Sequence, residues 1–311
     1  MKSFIKDLKV NDGISSVFFL KKKELARTQA GKPYLKLTLS DKSGRMEAKM
    51  WEGGEQADEM VATGQAVFVK GRVDSYNGLQ IRVDEIRLAD QKEYKFEELV
   101  RSVEDPEKIF KNIKEMLDGI NDKWLAELAK EFLDDEELMA KFRKSPGAQN
   151  WHNAYIGGLM EHTYEVMHIC REVCGLYPEA DRDAVIIGGF THDIGKTVEL
   201  DINTFEYTLD GGLIGHLTLG FEILSRKIAG IKGFPQDKAL ALKHIILGHH
   251  GEYNQQSPIL PKTLEATIVY HADELVSQAN AVKEVISQQS DGDKLWSNFI
   301  TIKNRKYLLK K

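Results

Sequence analysis

The stretch Gly188-Gly189-Phe190-Thr191-His192-Asp193-Ile194-Gly195-Lys196 begins inside an apolar run, Ala184 to Phe190, which leads into a His-Asp pair, then a glycine and a lysine. Adjacent side chains project from a helix about 100° apart, so both members of the pair can reach one point beside the helix end. The imidazole of His192 can bind one cation, and the carboxylate of Asp193 can bridge two. The ammonium of Lys196 can neutralise an anionic substrate. Because a His-Asp pair also occurs by chance, its meaning depends on what the rest of the chain supplies.

Length and composition are those of a globular protein with two domains. The chain has 311 residues, of which 42% are hydrophobic and 29% charged, and one core rarely serves so long a chain. No apolar run approaches the roughly 20 residues of a membrane span, and the N-terminus lacks the apolar core of a signal peptide. Cys170 and Cys174 are typical of reduced thiols in a helix. We therefore expect a cytoplasmic protein without a membrane segment.

Charge is unevenly distributed along the chain, whose net charge is −5. Residues 1–90 contain 16 Lys and Arg against 13 Asp and Glu, whereas the remainder contains 27 against 35. The molecule as a whole is therefore not a basic nucleic-acid-binding protein. A mildly basic first part beside an acidic remainder would suit a nucleic acid and divalent cations, respectively.

Residues 15–88 alternate between apolar and polar side chains with the period of two that strands show. The apolar members are Leu35, Leu37 and Leu39, then Met46, Ala48 and Met50, then Val67 and Val69, and finally Leu79, Ile81 and Val83. Turn signals such as Asp41-Lys42-Ser43-Gly44 and Asn77-Gly78 separate these runs. Five short strands, with a partly helical stretch at Gly54–Thr63 after the third, predict a five-stranded OB-type β-barrel over residues 1–90.

Outward side chains of this predicted barrel offer a surface for single-stranded nucleic acid. Aromatic rings of the second and third strands would stack on bases, and lysines beside them would contact phosphates. Residues of the last strand and its hairpin would extend the surface. The predicted nucleic-acid-binding residues of the barrel are Tyr34, Lys36, Lys49, Trp51, Tyr76 and Arg82. Aromatic residues are also common in strands for structural reasons, which is the alternative interpretation.

After the barrel, the apolar period changes to that of helices. Residues 91–149 are predicted to form a linker and a helical connecting segment, and residues 150–311 an all-α bundle. The predicted helices of the bundle are Leu159–Val173, Asp183–Phe190, Gly211–Ile228, Ala239–Leu247 and one that starts at Pro261. The basic tail, residues 304–311, is either a solvated end or a phosphate contact. The predicted fold is thus multidomain, with a β-barrel followed by a helical bundle.

Histidines and aspartates near the helix ends form a candidate metal-binding set. Its members are His162, His192, Asp193, His216, His249, His250 and Asp273. Imidazoles with a few carboxylates suit Mn, Fe, Co, Ni or Zn, whereas Mg and Ca prefer oxygen ligands. No cysteine joins the set, which argues against structural zinc. Seven ligands exceed the needs of one ion, so we predict two ions bridged by Asp193, with at least one of His249 and His250 as a ligand.

Two bridged cations point to phosphoryl transfer. Such a pair stabilises the attacking hydroxide and the leaving oxygen of an in-line displacement. Lys196 would offset charge on the non-bridging oxygens, so Asp193 and Lys196 are the predicted catalytic residues. Cleavage of a phosphodiester at a free 3′ end would yield a nucleoside 5′-monophosphate.

The ligand order H…HD…H…H…D, with Gly195-Lys196 after the pair, resembles the HD superfamily of metal-dependent phosphohydrolases over about residues 150–280. The resemblance implies that one ion is held by His162, His192, Asp193 and Asp273. It implies that the other is held by Asp193, His216, His249 and His250. It also implies that Lys196 contacts the substrate phosphate.

The order of the domains restricts the resemblance to a smaller family within the HD superfamily. The predicted barrel, a helical segment, the element Gly157-Gly158-Leu159-Met160-Glu161-His162-Thr163 and the HD ligands follow one another. This order resembles the YhaM-type 3′-to-5′ exoribonucleases of Gram-positive bacteria, which usually have two adjacent histidines before that element. Here Trp151-His152 stands there, and we place His152 either near the substrate phosphate or in a structural role. The resemblance implies Mn²⁺ as the favoured ion and single-stranded RNA as the substrate, with some action on single-stranded DNA.

Two other functions are open at the level of sequence. An HD core alone is compatible with hydrolysis of a nucleotide or a cyclic dinucleotide, although the barrel favours a polymer. A replication-associated nucleic-acid-binding factor with a vestigial HD site is the other alternative, and the complete ligand set argues against it. The sequence sets neither the RNA sequence preference nor the oligomeric state, and a homo-oligomer is compatible with it.

Overall fold

The computed structural model describes residues 3–28, 30–75, 78–149, 153–289, 295–300 and 304–309. The chain forms two compact units. The first extends to Ser102 and includes Asn203–Phe205, and the second contains the remainder from Val103 onward. The first unit is built mainly of strands and the second of helices. The predicted fold class, an OB-type barrel followed by a helical bundle, is confirmed.

The first unit contains a closed barrel of five strands. They are β1 (Gly13–Arg27), β2 (Pro33–Asp41), β3 (Gly44–Met50), β4 (Ala66–Ser75) and β5 (Leu79–Leu88). The barrel closes in the order β1-β2-β3-β5-β4, with β3 and β5 parallel and the other pairs antiparallel. The short helix α1 (Gly54–Met60) follows β3, where the sequence predicts helix, and α2 (Phe96–Leu99) follows the barrel.

The alternating apolar residues of the strands fill the barrel interior, as predicted, with one exception. Leu35, Leu37 and Leu39 of β2 are at most 1% exposed, and Ile81 of β5 is fully buried. Leu79, predicted to point inward, is instead 42% exposed. The pairing of β5 with β3 begins one residue later, so Leu79 lies in the hairpin beyond the closed part of the barrel.

The second unit is a helical bundle. Its helices are α3 (Pro106–Asp118), α4 (Lys123–Leu133), α5 (Glu136–Lys144), α6 (Gly158–Cys174), α7 (Arg182–Thr191), α8 (Lys196–Glu199), α9 (Leu209–Ile214), α10 (His216–Gly230), α11 (Gln236–Gly248) and α12 (Leu264–Gln289). Among the described residues, none of the helices combines the length and the apolar composition of a membrane span.

Helix α7 forms the centre of this bundle. Val185, Ile186 and Ile187 are fully buried. Phe190 packs edge-on against Phe132 and Phe142, with ring centres 5.6 Å apart in both pairs. Because the last turn of α7 is fixed on all sides by packing, the His-Asp pair that follows it is held deep inside the unit.

Two predicted helices differ from the observed ones. The predicted helix Gly211–Ile228 is divided into α9 and α10 at Gly215, whose φ of +78° breaks the helix and suits glycine alone. The last helix begins at Leu264 rather than at Pro261. Thr263 caps it, because its hydroxyl oxygen accepts a hydrogen bond from the backbone N–H of Ala266 at 3.1 Å.

Lys21 of β1 is a largely buried lysine of the first unit. Its ammonium lies 3.6 Å from the ring centre of Phe205 and 5.0 Å from that of Phe19. The nitrogen has no hydrogen-bond partner among the residues that the structure describes. Burial and, to a smaller extent, the charge of Arg45 lower the pKa of Lys21 to about 7.

We expect Lys21→Met to raise the thermal unfolding midpoint most below pH 7. The folded chain keeps the Lys21 proton only below its lowered pKa of about 7, whereas the unfolded chain keeps it to about pH 10.4. Wild-type stability therefore rises with pH between these values, and the advantage of methionine shrinks toward pH 10. Calorimetry at about pH 6 and pH 9.5 measures the difference in unfolding midpoint between the variant and the wild type. Lys22→Met, which replaces an exposed lysine of the same strand, is the control. An equal gain at both pH values would contradict the account.

Candidate metal centre

The ends of three helices, with residues inside α6 and α12, bring the predicted ligands together. His162 lies on α6, the pair after α7 supplies His192 and Asp193, α10 begins with His216, His249 and His250 follow α11, and Asp273 lies on α12. Neighbouring imidazole rings have centres between 4.7 and 6.0 Å apart. All seven residues that the sequence singles out therefore lie in one cluster.

The two oxygens of Asp193 face different imidazoles. Oδ2 lies 3.4 Å from Nε2 of His192 and 3.6 Å from Nε2 of His162. Oδ1 lies 3.5 Å from Nε2 of His249 and 3.6 Å from Nε2 of His216. The carboxylate thus stands between two groups of nitrogen donors.

Each group is completed by one further residue. Asp273 Oδ1 lies 3.0 Å from Nε2 of His162 on the first side. On the second side, Nε2 of His250 lies 3.1 Å from Nε2 of His216. Donor atoms lie within 4.8 Å of one another in three sets, which are His162-His192-Asp193, His216-His249-His250 and His192-His249-Asp273. The third set crosses between the two sides, so the cluster is continuous.

Hydrogen bonds fix the orientation of four imidazoles. Nδ1 of His192, His249 and His250 lies 2.8–2.9 Å from the carbonyl oxygens of Gly189, Ile246 and Gln255, respectively. Nδ1 of His216 lies 2.8 Å from a carboxylate oxygen of Glu199. Since these oxygens only accept, each Nδ1 carries a proton and each ring turns its Nε2 toward the centre.

This donor set fits divalent cations. The Nε2 atoms of His162 and His192 lie 3.2 Å apart, and those of His216 and His250 lie 3.1 Å apart. Lone pairs that face each other at this distance repel unless a proton or a cation lies between them. Oδ1 of Asp193 is buried and has no hydrogen-bond partner in the described part of the chain, as expected for an oxygen that coordinates a metal ion.

The charges of the cluster oppose the effect of burial. Burial alone would raise the pKa of Asp193, but the Lys196 ammonium and the neighbouring His192 hold it well below its usual value. Burial, with the neighbouring rings of His249 and His216, lowers the pKa of His250 to about 4. At neutral pH the centre therefore contains an ionised carboxylate and an uncharged His250 with an available lone pair.

Lys196 is placed against the carboxylate of Asp193. Its Nζ lies 2.6 Å from Oδ2 of Asp193, three residues earlier. Burial would lower the pKa of Lys196, but the Asp193 carboxylate outweighs it and raises that pKa. Gly195 permits this arrangement, since a Cβ there would lie 2.0 Å from the carbonyl oxygen of His216.

Glu199 belongs to the centre although the sequence does not mark it. One oxygen, Oε1, accepts hydrogen bonds from both the backbone N–H and Nδ1 of His216, each at 2.8 Å. Glu199 is 6% exposed, and a Cβ at Gly211 would lie 2.1 Å from its carbonyl oxygen. Its hydrogen-bond partner His216 lies 17 residues away, beyond a glycine-rich segment, so spacing alone could not identify Glu199 as part of the centre. Glu199 holds the His216 ring in place, as carboxylates commonly do for metal-binding histidines.

The predicted nucleic-acid-binding side chains of the barrel lie on its outer face. Tyr34 of β2 stacks on Trp51, which follows β3, with ring centres 4.6 Å apart. Lys36 pairs with Lys49 across β2 and β3, and Lys49 pairs with Arg82 across β3 and β5. Tyr76 and His152, also predicted to bind nucleic acid, lie outside the described residues.

Strand pairing adds a fourth cation to this face. Arg82 pairs with Arg72 of β4, which the sequence interpretation missed because β4 and β5 pair in a register that alternation does not reveal. The row Lys36-Lys49-Arg82-Arg72 crosses four adjacent strands. Like charges directly opposite one another destabilise a sheet, and nearby carboxylates offset two of these cations, since an oxygen of Glu24 lies 3.3 Å from Nζ of Lys36 and an oxygen of Asp84 lies 3.9 Å from Nε of Arg82.

We expect Glu199→Ala to weaken binding of Mn²⁺ by about 10–100-fold, because His216 loses the group that orients it. Glu199→Gln should weaken binding less, since its amide oxygen can still accept a hydrogen bond from Nδ1 of His216. Isothermal titration calorimetry with MnCl₂ measures the affinity of both variants for Mn²⁺. Glu222→Ala, on the exposed side of α10, is the control. An affinity of Glu199→Ala equal to that of the wild type would show that His216 needs no such support.

Comparison with known families agrees with both units. Residues 159–277 match the HD domain family, and residues 20–89 match the OB-fold nucleic acid binding domain family. HD domains are metal-dependent, in keeping with the cluster around Asp193. Among solved structures, the second OB-fold domain of replication protein A from Methanococcus maripaludis is 27% identical. The alignment covers 29% of this chain and 97% of that one, with a TM-score of 0.24.

Curated relatives align with nearly the whole chain. The 3′-5′ exoribonuclease YhaM of Listeria monocytogenes serotype 4b is 30% identical over 302 residues, which cover 94% of each chain. The enzyme of the same name from Listeria welshimeri has the same identity and coverage. Both units, their order and the cluster of HD ligands agree with this similarity. The chain therefore belongs to the YhaM family of 3′-5′ exoribonucleases, which are hydrolases.

Proposed function

We propose that the protein is a metal-dependent 3′-to-5′ exoribonuclease that releases nucleoside 5′-monophosphates from single-stranded RNA, with single-stranded DNA as a weaker substrate. The observation that carries the proposal is the position of Asp193, whose two oxygens face two groups of imidazoles. A pair of divalent cations supplies charge for both the attacking and the leaving oxygen of a phosphodiester displacement. Similarity to YhaM enzymes along 94% of the chain supports RNA as the polymer.

Two ions are proposed because the donors divide between two sides of Asp193. The first site would use His162, His192, Asp193 and Asp273, and the second would use Asp193, His216, His249 and His250. Mn²⁺ is the favoured ion, and Fe, Co or Ni suit the same imidazole-rich set. Both His249 and His250 are included, because each holds its Nδ1 proton against a carbonyl oxygen and turns Nε2 to the centre.

Lys196 and the depth of the site would assist the reaction. The Lys196 ammonium, 18% exposed, lies beside Asp193 at the edge of the cluster. From there it would offset the charge that develops on the non-bridging phosphate oxygens. His192 and His249 are at most 1% exposed, so bulk water is kept away from them and the electrostatic interactions of the site are strengthened.

The outer face of the barrel would hold the strand. Trp51 is 46% exposed, and with Tyr34 it forms an aromatic pair on which a base can stack. The ammonium groups of Lys49 and Lys36 lie 5.8 and 6.0 Å from the centres of these rings. Cations beside aromatic rings suit the phosphates and bases of a single strand without sequence preference.

We expect Asp193→Ala to lower hydrolysis of labelled single-stranded RNA by a factor on the order of 1,000, because removal of the bridge disrupts both sites. Bound Mn²⁺, measured by mass spectrometry of the purified protein, should fall from two ions per chain. Circular dichroism should show unchanged helix content. Asp237→Ala, an exposed aspartate of α11, is the control that should keep full activity. Retained hydrolysis by Asp193→Ala, freed of wild-type enzyme, would refute the bridging role.

We expect Trp51→Ala and Tyr34→Ala each to weaken binding of single-stranded RNA by about tenfold, since stacking of one base contributes about 1–3 kcal/mol. Fluorescence anisotropy with a labelled oligonucleotide in EDTA measures affinity without hydrolysis. Phe96→Ala replaces an exposed aromatic residue of α2, outside the aromatic pair, and serves as the control. Unchanged affinity in both variants would remove the aromatic pair from the binding site.

A substrate comparison separates the proposed function from the two alternatives. The wild-type enzyme with Mn²⁺ should shorten 3′-accessible RNA stepwise and leave mononucleotides and cyclic dinucleotides intact. Chromatography of the products distinguishes these reactions. Turnover of the small nucleotides alone, or RNA binding without any metal-dependent cleavage, would contradict the proposal.

A further inference from the structure

The residues of the metal centre differ in how far they are exposed to solvent. The side chains of His192, Asp193 and His249 are at most 3% exposed, whereas that of His216 is 15% exposed. His250 is also partly exposed, and its Nε2 lies 3.1 Å from that of His216. The centre is therefore open to solvent at this pair of imidazoles, which we call the open side.

Tyr253 is held next to the open side by the loop that follows α11. The backbone N–H of Glu252 donates to the carbonyl oxygen of His250 at 2.9 Å. Nδ1 of His250 lies 2.9 Å from the carbonyl oxygen of Gln255. Tyr253 lies between these two contacts in the chain. Since both contacts fix the loop to His250, Tyr253 stays beside this ligand.

The ring of Tyr253 is available to a bound molecule. Tyr253 is 63% exposed, and its side chain makes no hydrogen bond or ring contact with the other residues that the structure describes. Leu213 of α9, three residues before His216, is 78% exposed. Apolar surface is thus present beside both imidazoles of the open side, where it can contact a flat, uncharged group.

The segments next to the open side carry no positive charge. Residues 207–215 lead to His216 and residues 251–260 follow His250, and neither range contains Lys or Arg. Their charged residues are Asp210 and Glu252, and both are exposed. Carboxylates repel phosphates, so these segments do not suit a strand that continues past the centre. They suit a nucleoside that carries no further phosphate.

We propose that Tyr253 stacks on the base of the 3′-terminal nucleotide while the phosphate to be cleaved lies at the metal centre. The proposal rests on the proposed function, because only a 3′-to-5′ exonuclease places a terminal nucleoside on the 3′ side of that phosphate. Stacking needs only a planar ring and therefore accepts every base. Tyr253 binds the end of the strand and takes no part in the bond cleavage itself.

Hydrolysis of two 5′-labelled oligoadenylates with Mn²⁺ tests the proposal. One strand ends in adenosine and the other in a ribose that lacks its base, and the loss of full-length strand gives kcat/KM for the first cleavage. The wild type should cleave the abasic end about tenfold more slowly, because one stacked base is lost. Tyr253→Ala should lose about tenfold on the adenosine end and little more on the abasic end. Tyr253→Phe should behave as the wild type does.

The matched control is Tyr177→Ala, which replaces another exposed tyrosine of the same unit and should leave both rates unchanged. Isothermal titration calorimetry with MnCl₂ should give Tyr253→Ala the Mn²⁺ affinity of the wild type, which excludes an effect through His250.

Equal wild-type rates on the two strands, or a tenfold loss by Tyr253→Ala on the abasic strand as well, would overturn the contact with the terminal base while leaving the exonuclease function intact. A wild type that cleaves neither strand would refute the proposed function, and the contact with it.

Discussion

The carboxylate of Asp193 is the group on which the metal centre depends, because each of its oxygens faces a different pair of imidazoles. Burial of an anion is costly unless positive charge or hydrogen bonds surround it. Lys196, at 2.6 Å, provides a fixed positive charge. Oδ1 is buried without a hydrogen-bond partner in the described residues, and a metal ion there would supply further positive charge.

The architecture of the bundle serves to hold this carboxylate in place. Packing of Phe190 against two further phenyl rings fixes the end of α7, and the pair that follows cannot move without disturbing the core. Gly195 and Gly211 then allow the backbone of the next segments to approach within distances that a side chain would forbid. As a result, His216 and Glu199, far apart in the sequence, meet beside Asp193.

The sequence was most informative where histidines and aspartates in a fixed order carry the chemistry. The seven candidate ligands lie at helix ends or on helix faces, and their order predicted that they would form one cluster. Alternation likewise predicted the interior of the barrel. Glu199 and Arg72 escaped prediction because their roles depend on partners brought close by tertiary packing and strand register. Gly215 divided a predicted helix, since apolar periodicity continues through a residue whose positive φ interrupts the backbone.

The most direct measurement of the central claim is anomalous scattering at the manganese edge from crystals of the wild-type protein grown with MnCl₂. The account predicts two peaks, one within bonding distance of each oxygen of Asp193. One of them should be surrounded by His162, His192 and Asp273, and the other by His216, His249 and His250. A single peak, or two peaks of which only one contacts Asp193, would contradict the account.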